Sequence, residues 1–262
     1  MIATLLRPFR RVSAPPPAVP PGRLVYAIGD IHGRDDLLVR LRETIRADAQ
    51  AAAREAAAEG RPAPQPVVIH LGDYVDRGLH SREAIGLLLD APLPGFESIH
   101  LKGNHEDMLL RFLDDPSIGR VWLANGGDAT LASYGVGNWR PPLDDAGLED
   151  LRHRLRAALP PRHLAFLRGL AHCHEEGDYL FVHAGVRPGV APAERRPEDM
   201  MWIRDGFLDS RADHGQMVVH GHSIEYRPDE RPNRIGIDTG AFATGRLTAL
   251  ALAGATRRFL ST

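Results

Sequence analysis

Residues 24–33, LVYAIGDIHG, join a short apolar strand to a polar turn that carries Asp30 and His32. The same arrangement returns in residues 67–78, VVIHLGDYVDRG, where a second apolar strand ends in a glycine followed by Asp73. In α/β sheets the carboxyl ends of parallel strands meet at one edge, and ligands bind there. The two stretches therefore predict a parallel sheet and place a functional site at its edge.

Three further predicted strands end in the same way, with a glycine beside asparagine or histidine. They are Ser98–Leu101 before Gly103-Asn104-His105, Tyr179–Val182 before His183-Ala184-Gly185, and Met217–Val219 before His220-Gly221-His222. A glycine lets the chain turn sharply and brings its backbone close to a bound group. One such turn is ordinary surface structure, but five at the same topological position indicate a convergent site.

Helices alternate with these strands. The predicted helices are Asp35–Glu59, Ser81–Asp90 and Glu106–Leu113, with Ser81 as an N-cap and Glu106 stabilising the start of its helix. This βαβαβ order predicts a largely parallel layer with crossover helices. Two later strands are predicted at Arg234–Ile237 and Leu247–Leu252, the second closing the edge of a sheet.

The domain is predicted to span residues 23–262, with an inserted cap or loop region of lower regularity over 116–159. Residues 1–22, rich in arginine and proline, predict a flexible tail. No apolar run is long enough for a secretory signal or a membrane span, so we expect a cytoplasmic protein. Within the insert, Asn125-Gly126-Gly127 and Tyr134-Gly135 either line a substrate groove or form structural turns.

Composition excludes several classes of protein. The 262 residues include 32 Lys+Arg and 34 Asp+Glu, a net charge of −2, which argues against a general binder of nucleic acid or membrane surfaces. The single cysteine, Cys173, cannot form an internal disulfide or a multi-thiolate zinc site, and we interpret it as structural. The 13 histidines raise the question of which of them converge.

The strand ends offer carboxylate, amide and imidazole groups together: Asp30, His32, Asp73, Asn104, His183 and His222. A mixed oxygen and nitrogen set suits manganese, iron or zinc better than calcium. Six ligands are too many for one ion that keeps a position open for substrate, and they suit two ions that share a carboxylate. Two such ions can bind a phosphoryl group and activate a water molecule.

The full set of motifs is GDIHG (29–33), GDYVDRG (72–78), GNHE (103–106), HAG (183–185) and GHS (221–223). It resembles the calcineurin-like metallophosphoesterase superfamily and, within it, the bacterial branch of the phosphoprotein phosphatases. The resemblance extends to RIGIDTGAFATGRLTALAL (234–252), which is similar to the family's terminal strands. It implies an α/β/β/α sandwich, with two central mixed β-sheets flanked by helices.

The resemblance also implies roles for individual residues. Asp30 and His32 would bind the first of two divalent ions, Asp73 would bridge, and Asn104, His183 and His222 would complete the second site. Manganese is the expected metal, with iron or zinc as alternatives. His220 has no assigned role, and neither do His70, His80, His100, His153, His163, His172, His174 and His214, which we expect on the surface or in the core.

For catalysis, the resemblance makes His105 the general acid that protonates the leaving group, with Asp76 holding its imidazole. Arg77, Arg204 and Asn104 would contact the phosphoryl group, for which a guanidinium offers a planar fork of donors. The nucleophile would be a metal-bound water or hydroxide, so no cysteine is needed.

The implied activity is metal-dependent hydrolysis of phosphoserine and phosphothreonine in proteins, with phosphotyrosine and small aryl phosphates as further substrates. The alternative is a symmetrical bis(5'-nucleosyl)-tetraphosphate hydrolase, a relative that typically lacks an acid where this chain has Asp76 and has Asp in place of Glu106. Ile224, in place of a second histidine, also favours the protein-phosphatase branch. A third hypothesis, a catalytically silent scaffold, is disfavoured because no ligand or acid is missing.

Overall fold

Two five-stranded β-sheets lie at the centre of the fold. The structure, a computed structural model, describes residues 15–141 and 143–262. The first sheet contains β1 (Arg23–Ile28), β2 (Gln65–His70), β3 (Glu97–His100), β9 (Thr248–Ala253) and β10 (Thr256–Ser261), in the order β10-β9-β1-β2-β3. The second contains β4 (Cys173–Glu176), β5 (Tyr179–Val182), β6 (Met217–His220), β7 (Asp229–Glu230) and β8 (Arg234–Gly236), in the order β4-β5-β6-β8-β7.

Both sheets are mixed, with parallel pairing where the predicted motifs lie. In the first sheet β1 pairs parallel to β2 and β2 parallel to β3, whereas β9 runs antiparallel to β1 and to β10. In the second sheet β6 pairs parallel to β5 and to β8, with antiparallel strands at both margins. The carboxyl ends of the parallel strands therefore lie at one edge of each sheet.

Helices cover the outer face of each sheet. The α-helices are α1 (Asp35–Ala58), α2 (Ser81–Asp90), α3 (Asn104–Asp114), α4 (Gly119–Trp122), α5 (Asp128–Ser133), α6 (Asp145–Ala158), α7 (Pro161–Arg168), α8 (Pro197–Trp202) and α9 (Ala241–Thr244). Short 3-10 helices occupy Pro116–Ile118 and Pro192–Glu194, and a π-helical turn spans Leu123–Gly127.

Strand alternation sets the layers. On β1, Val25 and Ala27 enter the core between the two sheets, whereas Leu24, Tyr26 and Ile28 enter the core beneath the helices. On the far side, Leu180 of β5 and Val218 of β6 pack with Met200 of α8. Strands buried on both faces read as continuous apolar runs, as these do. The layers are helix, sheet, sheet and helix, which confirms the fold class that the resemblance implied.

The inserted region over 116–159 is mostly helical, so the low regularity that the sequence predicted there is wrong. The α6 helix begins where the Asp144 carboxylate accepts the N–H of Gly147 at 2.8 Å, and it buries Leu148, Leu151 and Leu155. Glycines and the shortness of the helices obscured the helical spacing of apolar residues in this part of the sequence. At Gly126-Gly127 the chain continues through the π-helical turn.

Two smaller predictions are also wrong. Leu247–Leu252 does not close an edge, because β9 lies between β1 and β10; the chain turns at Gly254 (φ 54°) and adds a further strand outside it. Ser81 is the first residue of α2 rather than its N-cap, and its buried hydroxyl accepts the N–H of Asp76 at 3.1 Å.

Part of the predicted tail 1–22 is folded; its residues 1–14 lie outside the described residues. Val19 is buried in the core between the sheets, and its N–H donates to the Gly254 carbonyl at 3.0 Å. The Tyr179 hydroxyl donates to the Pro17 carbonyl at 3.2 Å. The prediction of a flexible tail is therefore wrong for residues 17–19. Within the described ranges, no helix has the length and apolar character needed to cross a membrane.

Candidate active site

The carboxyl ends of both sheets converge on one buried cluster of polar side chains. The β1 and β2 ends of the first sheet and the β5 and β6 ends of the second supply Asp30, His32, Asp73, His183 and His222, all of them buried. His183 Nδ1 lies 3.0 Å from the Leu71 carbonyl, which joins the two sheets across the site. The structure thus brings together residues that the sequence places up to 192 positions apart.

Asp73 lies at the centre of this cluster. Its Oδ2 is 3.6 Å from His32 Nε2, 3.4 Å from His183 Nε2 and 3.9 Å from His105 Nε2. Two groups of potential metal ligands share it: Asp73 with His32 and His105, and Asp73 with His183 and His222, the donor atoms in each group lying within 4.8 Å of one another. A carboxylate common to two ligand groups is the arrangement that a pair of ions requires.

Asn104 and His222 also have the geometry of ligands. Asn104 Oδ1 lies 2.9 Å from His183 Nε2, so two predicted ligands of the second ion are adjacent. His222 Nε2 is buried and has no hydrogen-bond partner among the described residues. Burial lowers the pKa of His222 to about 2, which keeps the ring in the neutral form that binds metals. An orphaned imidazole nitrogen beside Asp73 fits a metal site.

Asp30 is held close to the loop that carries His222. Its Oδ2 accepts the His222 N–H at 3.0 Å, and a Cβ on Gly221 would lie only 2.1 Å from its Oδ1. Burial, together with the neighbouring charges of Asp238 and Asp73, raises the pKa of Asp30 well above its usual range. Accumulated carboxylates of this kind favour a bound cation.

Asp238 is a site residue that the sequence analysis missed. It is 2 % exposed, its Oδ2 has no hydrogen-bond partner among the described residues, and burial raises its pKa to about 6. A signal was present, because Asp238 follows the predicted strand Arg234–Ile237 in an Asp-Thr-Gly turn. Like the five strand-end motifs, it places a polar side chain after a predicted strand.

His105 and Asp76 form a buried pair beside the Asp73 cluster. His105 Nδ1 lies 2.7 Å from Asp76 Oδ2, and Asp76 is fully buried. Burial alone would lower the pKa of His105, but the charges of Asp73 and Asp76 outweigh it and hold that pKa above its ordinary value. These two carboxylates therefore favour the protonated imidazole, which is the form that a proton donor requires.

Two arginines lie at the site. Arg77 Nη1 donates to His32 Nε2 at 3.0 Å, and its guanidinium carbon lies 4.8 Å from the centre of the Phe242 ring, a contact that the sequence did not predict. Arg204 is exposed, and its Nη2 donates to the His222 carbonyl at 3.1 Å. Both guanidinium groups are thus placed next to predicted metal ligands.

Backbone strain is concentrated at this site. Among the described residues, six other than glycine have a positive φ, and five of them are predicted site residues: His32, Asp73, Asp76, Arg77 and His222. Left-handed backbone costs of order 1–3 kcal/mol for such residues and persists where surrounding structure over-determines it. The strain supports the assignment independently of the side chains.

Glu106 acts beyond the start of its helix, the role that the sequence suggested. Its fully buried carboxylate accepts the N–H groups of Asp73 at 2.8 Å, Tyr74 at 2.7 Å, Val75 at 3.2 Å and Gly103 at 2.9 Å. It therefore fixes the loop after β2 against the start of α3. This loop carries Asp73, so Glu106 supports the centre of the cluster.

Several residues to which the sequence analysis gave no catalytic or metal-binding role lie outside the Asp73 cluster. His220 is buried, with Nδ1 3.0 Å from the Gly221 carbonyl and its ring against Phe207. His70 and His100 stack on each other, with ring centroids 4.8 Å apart, in the first sheet. Cys173 is half-buried in β4.

Comparison with known proteins finds a matching family and similar sequences. The family model of calcineurin-like phosphoesterases matches residues 24–234. A curated relative is bis(5'-nucleosyl)-tetraphosphatase PrpE [asymmetrical] of Bacillus thuringiensis (strain Al Hakam), 28% identical over 192 residues, which cover 69% of this chain and 73% of the relative.

Two solved structures share the fold. One is a candidate diadenosine tetraphosphatase, with a TM-score of 0.57, 18% identity, and coverage of 94% of this chain and 98% of that one. The other is a cold-active protein tyrosine phosphatase, with a TM-score of 0.56, 18% identity, and coverage of 91% and 78%. Because the family model matches residues 24–234, well over half of the chain, this chain belongs to the calcineurin-like phosphoesterase family, whose members use a dinuclear divalent metal centre.

Proposed function

We propose that the chain is a metal-dependent phosphomonoesterase that hydrolyses phosphoserine and phosphothreonine in proteins, with phosphotyrosine and small aryl phosphates as further substrates. The observation that carries the proposal is the buried pair of His105 and Asp76, 2.7 Å apart beside the Asp73 cluster. A serine or threonine alkoxide is a strongly basic leaving group, so breaking its bond to phosphorus calls for a proton donor.

The metal ligands in this proposal are those that the cluster brings together. Asp30, His32 and Asp73 would hold one ion, as the resemblance implies. Asp73, Asn104, His183 and His222 would hold the other; the donor atoms of Asp73, His183 and His222 lie within 4.8 Å of one another, and Asn104 Oδ1 is 2.9 Å from His183 Nε2. The unpartnered Nε2 of His222 and the crowding of buried carboxylates support this assignment. When bound, the ions would supply positive charge to the phosphoryl group and an activated water. Manganese suits the mixed ligand set, and iron or zinc are alternatives.

Side chains of the protein would bind the phosphoryl group and donate the proton. Arg77 and Arg204 bind the phosphoryl oxygens with N–H donors, and the ring of Phe242 supports Arg77 from below. Asn104 contacts the same phosphoryl group. His105 releases the proton from its Nε2, which faces the cluster, while Asp76 holds the opposite ring nitrogen and stabilises the charged imidazole.

Hydrolysis of a dinucleoside tetraphosphate is the second candidate, because curated relatives are named for it. Those relatives are named asymmetrical, whereas the symmetrical activity was the alternative that the sequence suggested. In that reaction the leaving group is a nucleotide phosphate, a far weaker base than an alkoxide, so a proton donor contributes less. The hydrogen-bonded pair of His105 and Asp76 therefore favours a phosphomonoester over a dinucleoside tetraphosphate as the substrate.

The test compares a phosphoserine peptide, a phosphotyrosine peptide and diadenosine tetraphosphate under one set of conditions with Mn²⁺. We expect the phosphopeptides to have the higher kcat/KM. In the same assay His105→Asn should lower kcat on the phosphoserine peptide by ~10²–10⁴-fold with little change in metal content.

The matched control is His153→Asn, since His153 is exposed on α6 and outside the site. It should leave all three rates unchanged. A preference for diadenosine tetraphosphate that survives His105→Asn would replace the proposal with the second candidate. Loss of metal from His105→Asn would show instead that His105 is a ligand.

A further inference from the structure

The π-helical turn Leu123–Gly127 has no role in the function proposed so far, although the sequence singled out its Asn-Gly-Gly motif. Trp122 immediately precedes this turn, and Thr130 follows it in α5. Both side chains are fully buried and point at Asp76. π-helical turns are rare and recur at functional sites.

We propose that the segment Trp122–Thr130 positions the proton donor: Trp122 and Thr130 hold the Asp76 carboxylate, and the two glycines between them fix both this carboxylate and Arg77. This inference rests on the proposed role of His105 as the acid. It makes Trp122 and Thr130 positioning residues, since their side chains bind Asp76 and act on the proton donor through it.

Hydrogen bonds engage both oxygens of the Asp76 carboxylate. Trp122 Nε1 donates to Asp76 Oδ2 at 2.9 Å, the same oxygen that contacts His105 Nδ1, and lies 3.1 Å from Oδ1. Thr130 Oγ1 donates to Oδ1 at 2.6 Å, and its oxygen in turn accepts the Asp76 N–H at 2.8 Å. A buried carboxylate with both oxygens engaged has one orientation, and His105 takes its own from it.

Gly127 makes room for the indole. A Cβ at this position would lie 2.4 Å from Trp122 Cε2 and 2.8 Å from Nε1, closer than side-chain atoms approach one another. Any larger residue would therefore displace the ring from Asp76. The glycine is required by close packing rather than by its backbone angles, since its φ is −64°.

Gly126 acts on the neighbouring arginine. Its carbonyl accepts the Arg77 N–H at 3.0 Å, and Arg77 itself has a left-handed backbone with φ 68°. Gly126 has φ 96°, and a Cβ there would lie 2.8 Å from Arg77 Cγ and 2.9 Å from its N. The two glycines thus serve different groups, Gly127 the acid and Gly126 the phosphate-binding arginine.

The test uses the dependence of rate on the leaving group. A phosphoserine peptide has a poor leaving group that needs a proton, whereas p-nitrophenyl phosphate has a good one that does not. Trp122→Phe, which removes the N–H but keeps an aromatic ring, should lower kcat ~10–100-fold on the peptide and less than ~3-fold on p-nitrophenyl phosphate. Gly127→Ala should show the same selective loss.

Two further comparisons separate positioning from folding. Thr130→Val removes the hydroxyl at nearly constant volume and should show the selective loss, whereas Thr130→Ser keeps the hydroxyl and should restore the wild-type ratio of the two rates. Gly126→Ala should instead raise KM for both substrates, because it displaces Arg77. The packing control is Phe112→Leu, which loosens the ring stacked 4.9 Å from Trp122 but leaves the N–H in place and the rate ratio unchanged.

Equal losses on both substrates from Trp122→Phe and Thr130→Val would overturn the inference and leave these residues a structural role. His105→Asn is measured alongside and distinguishes the role of His105 as the acid from the positioning role of Trp122 and Thr130. If it loses activity selectively on the peptide while Trp122→Phe and Thr130→Val do not, only the positioning inference fails. If His105→Asn itself shows no leaving-group dependence, the proposed acid is wrong and the inference falls with it.

Discussion

Asp73 belongs to both groups of potential metal ligands. Burial would raise the pKa of its carboxyl, yet His183, His105, His32 and His222 around it lower that pKa below the ordinary range. The carboxylate thus stays ionised inside the protein, and its N–H is held by Glu106 at 2.8 Å. Both the charge and the orientation of Asp73 are set before any cation binds.

Asp73→Asn should therefore affect both ions together. The amide removes the negative charge that the two ligand groups share, and we expect bound manganese to fall from about two ions to less than one per chain. Inductively coupled plasma mass spectrometry after dialysis measures this. Asp145→Asn, at a carboxylate with 92% side-chain exposure, is the matched control. Retention of two ions by Asp73→Asn would contradict the assignment of Asp73 as the bridging ligand.

The strands β2 and β3 carry a second set of histidines close to the core. His100 stacks on His70 with the rings 9° from parallel, and the ring of Phe166 contacts its edge. Burial, with a smaller contribution from the charge of Arg42, lowers the pKa of His100 to about 4. Burial also lowers the pKa of His70 well below its ordinary value.

These lowered pKa values predict that the folded protein loses stability in acid. Between pH 6.5 and about 4 the unfolded chain binds a proton at His100 that the folded protein does not, so stability falls as the pH falls through that window. His100→Phe keeps an aromatic ring and removes this proton, so its unfolding free energy should depend less on pH. Urea titrations at about pH 7, 5.5 and 4.5 measure the difference. A pH dependence equal to that of the wild type would show that His100 does not contribute.

The strand-end pattern could be predicted because it is local. Each motif lies within a few residues of the strand that positions it, and the rule that parallel strands share a functional edge supplies the convergence. Asp238 followed the same rule and could have been found. Glu106 was visible only as a helix-start residue, because the loop that it holds lies 31 to 33 positions earlier.

The segment that carries Trp122 and Thr130 could not be predicted in this way. These residues lie 46 and 54 positions from Asp76, and their donors matter only once the inserted helices pack against α3 and α2. The short helices and the two glycines also resemble a loop in composition. What the sequence lacks there is a local pattern, since tertiary packing alone creates the contact.

The site belongs to the packed pair of sheets rather than to either sheet. The first supplies Asp30 and Asp73, the second His183 and His222, and the core between them holds the two edges in register. A cation that binds these residues only when the sheets are packed also stabilises the fold. Metal content, activity and stability should therefore change together.

The two-metal centre is tested most directly by hydrolysis of a phosphoserine peptide by the purified protein before chelation, after exhaustive chelation, and after return of Mn²⁺. We expect chelation to abolish the activity and about two equivalents of Mn²⁺ per chain to restore it. Full activity after chelation would contradict the two-metal centre. Failure to hydrolyse the peptide with both ions bound would contradict the proposed substrate class.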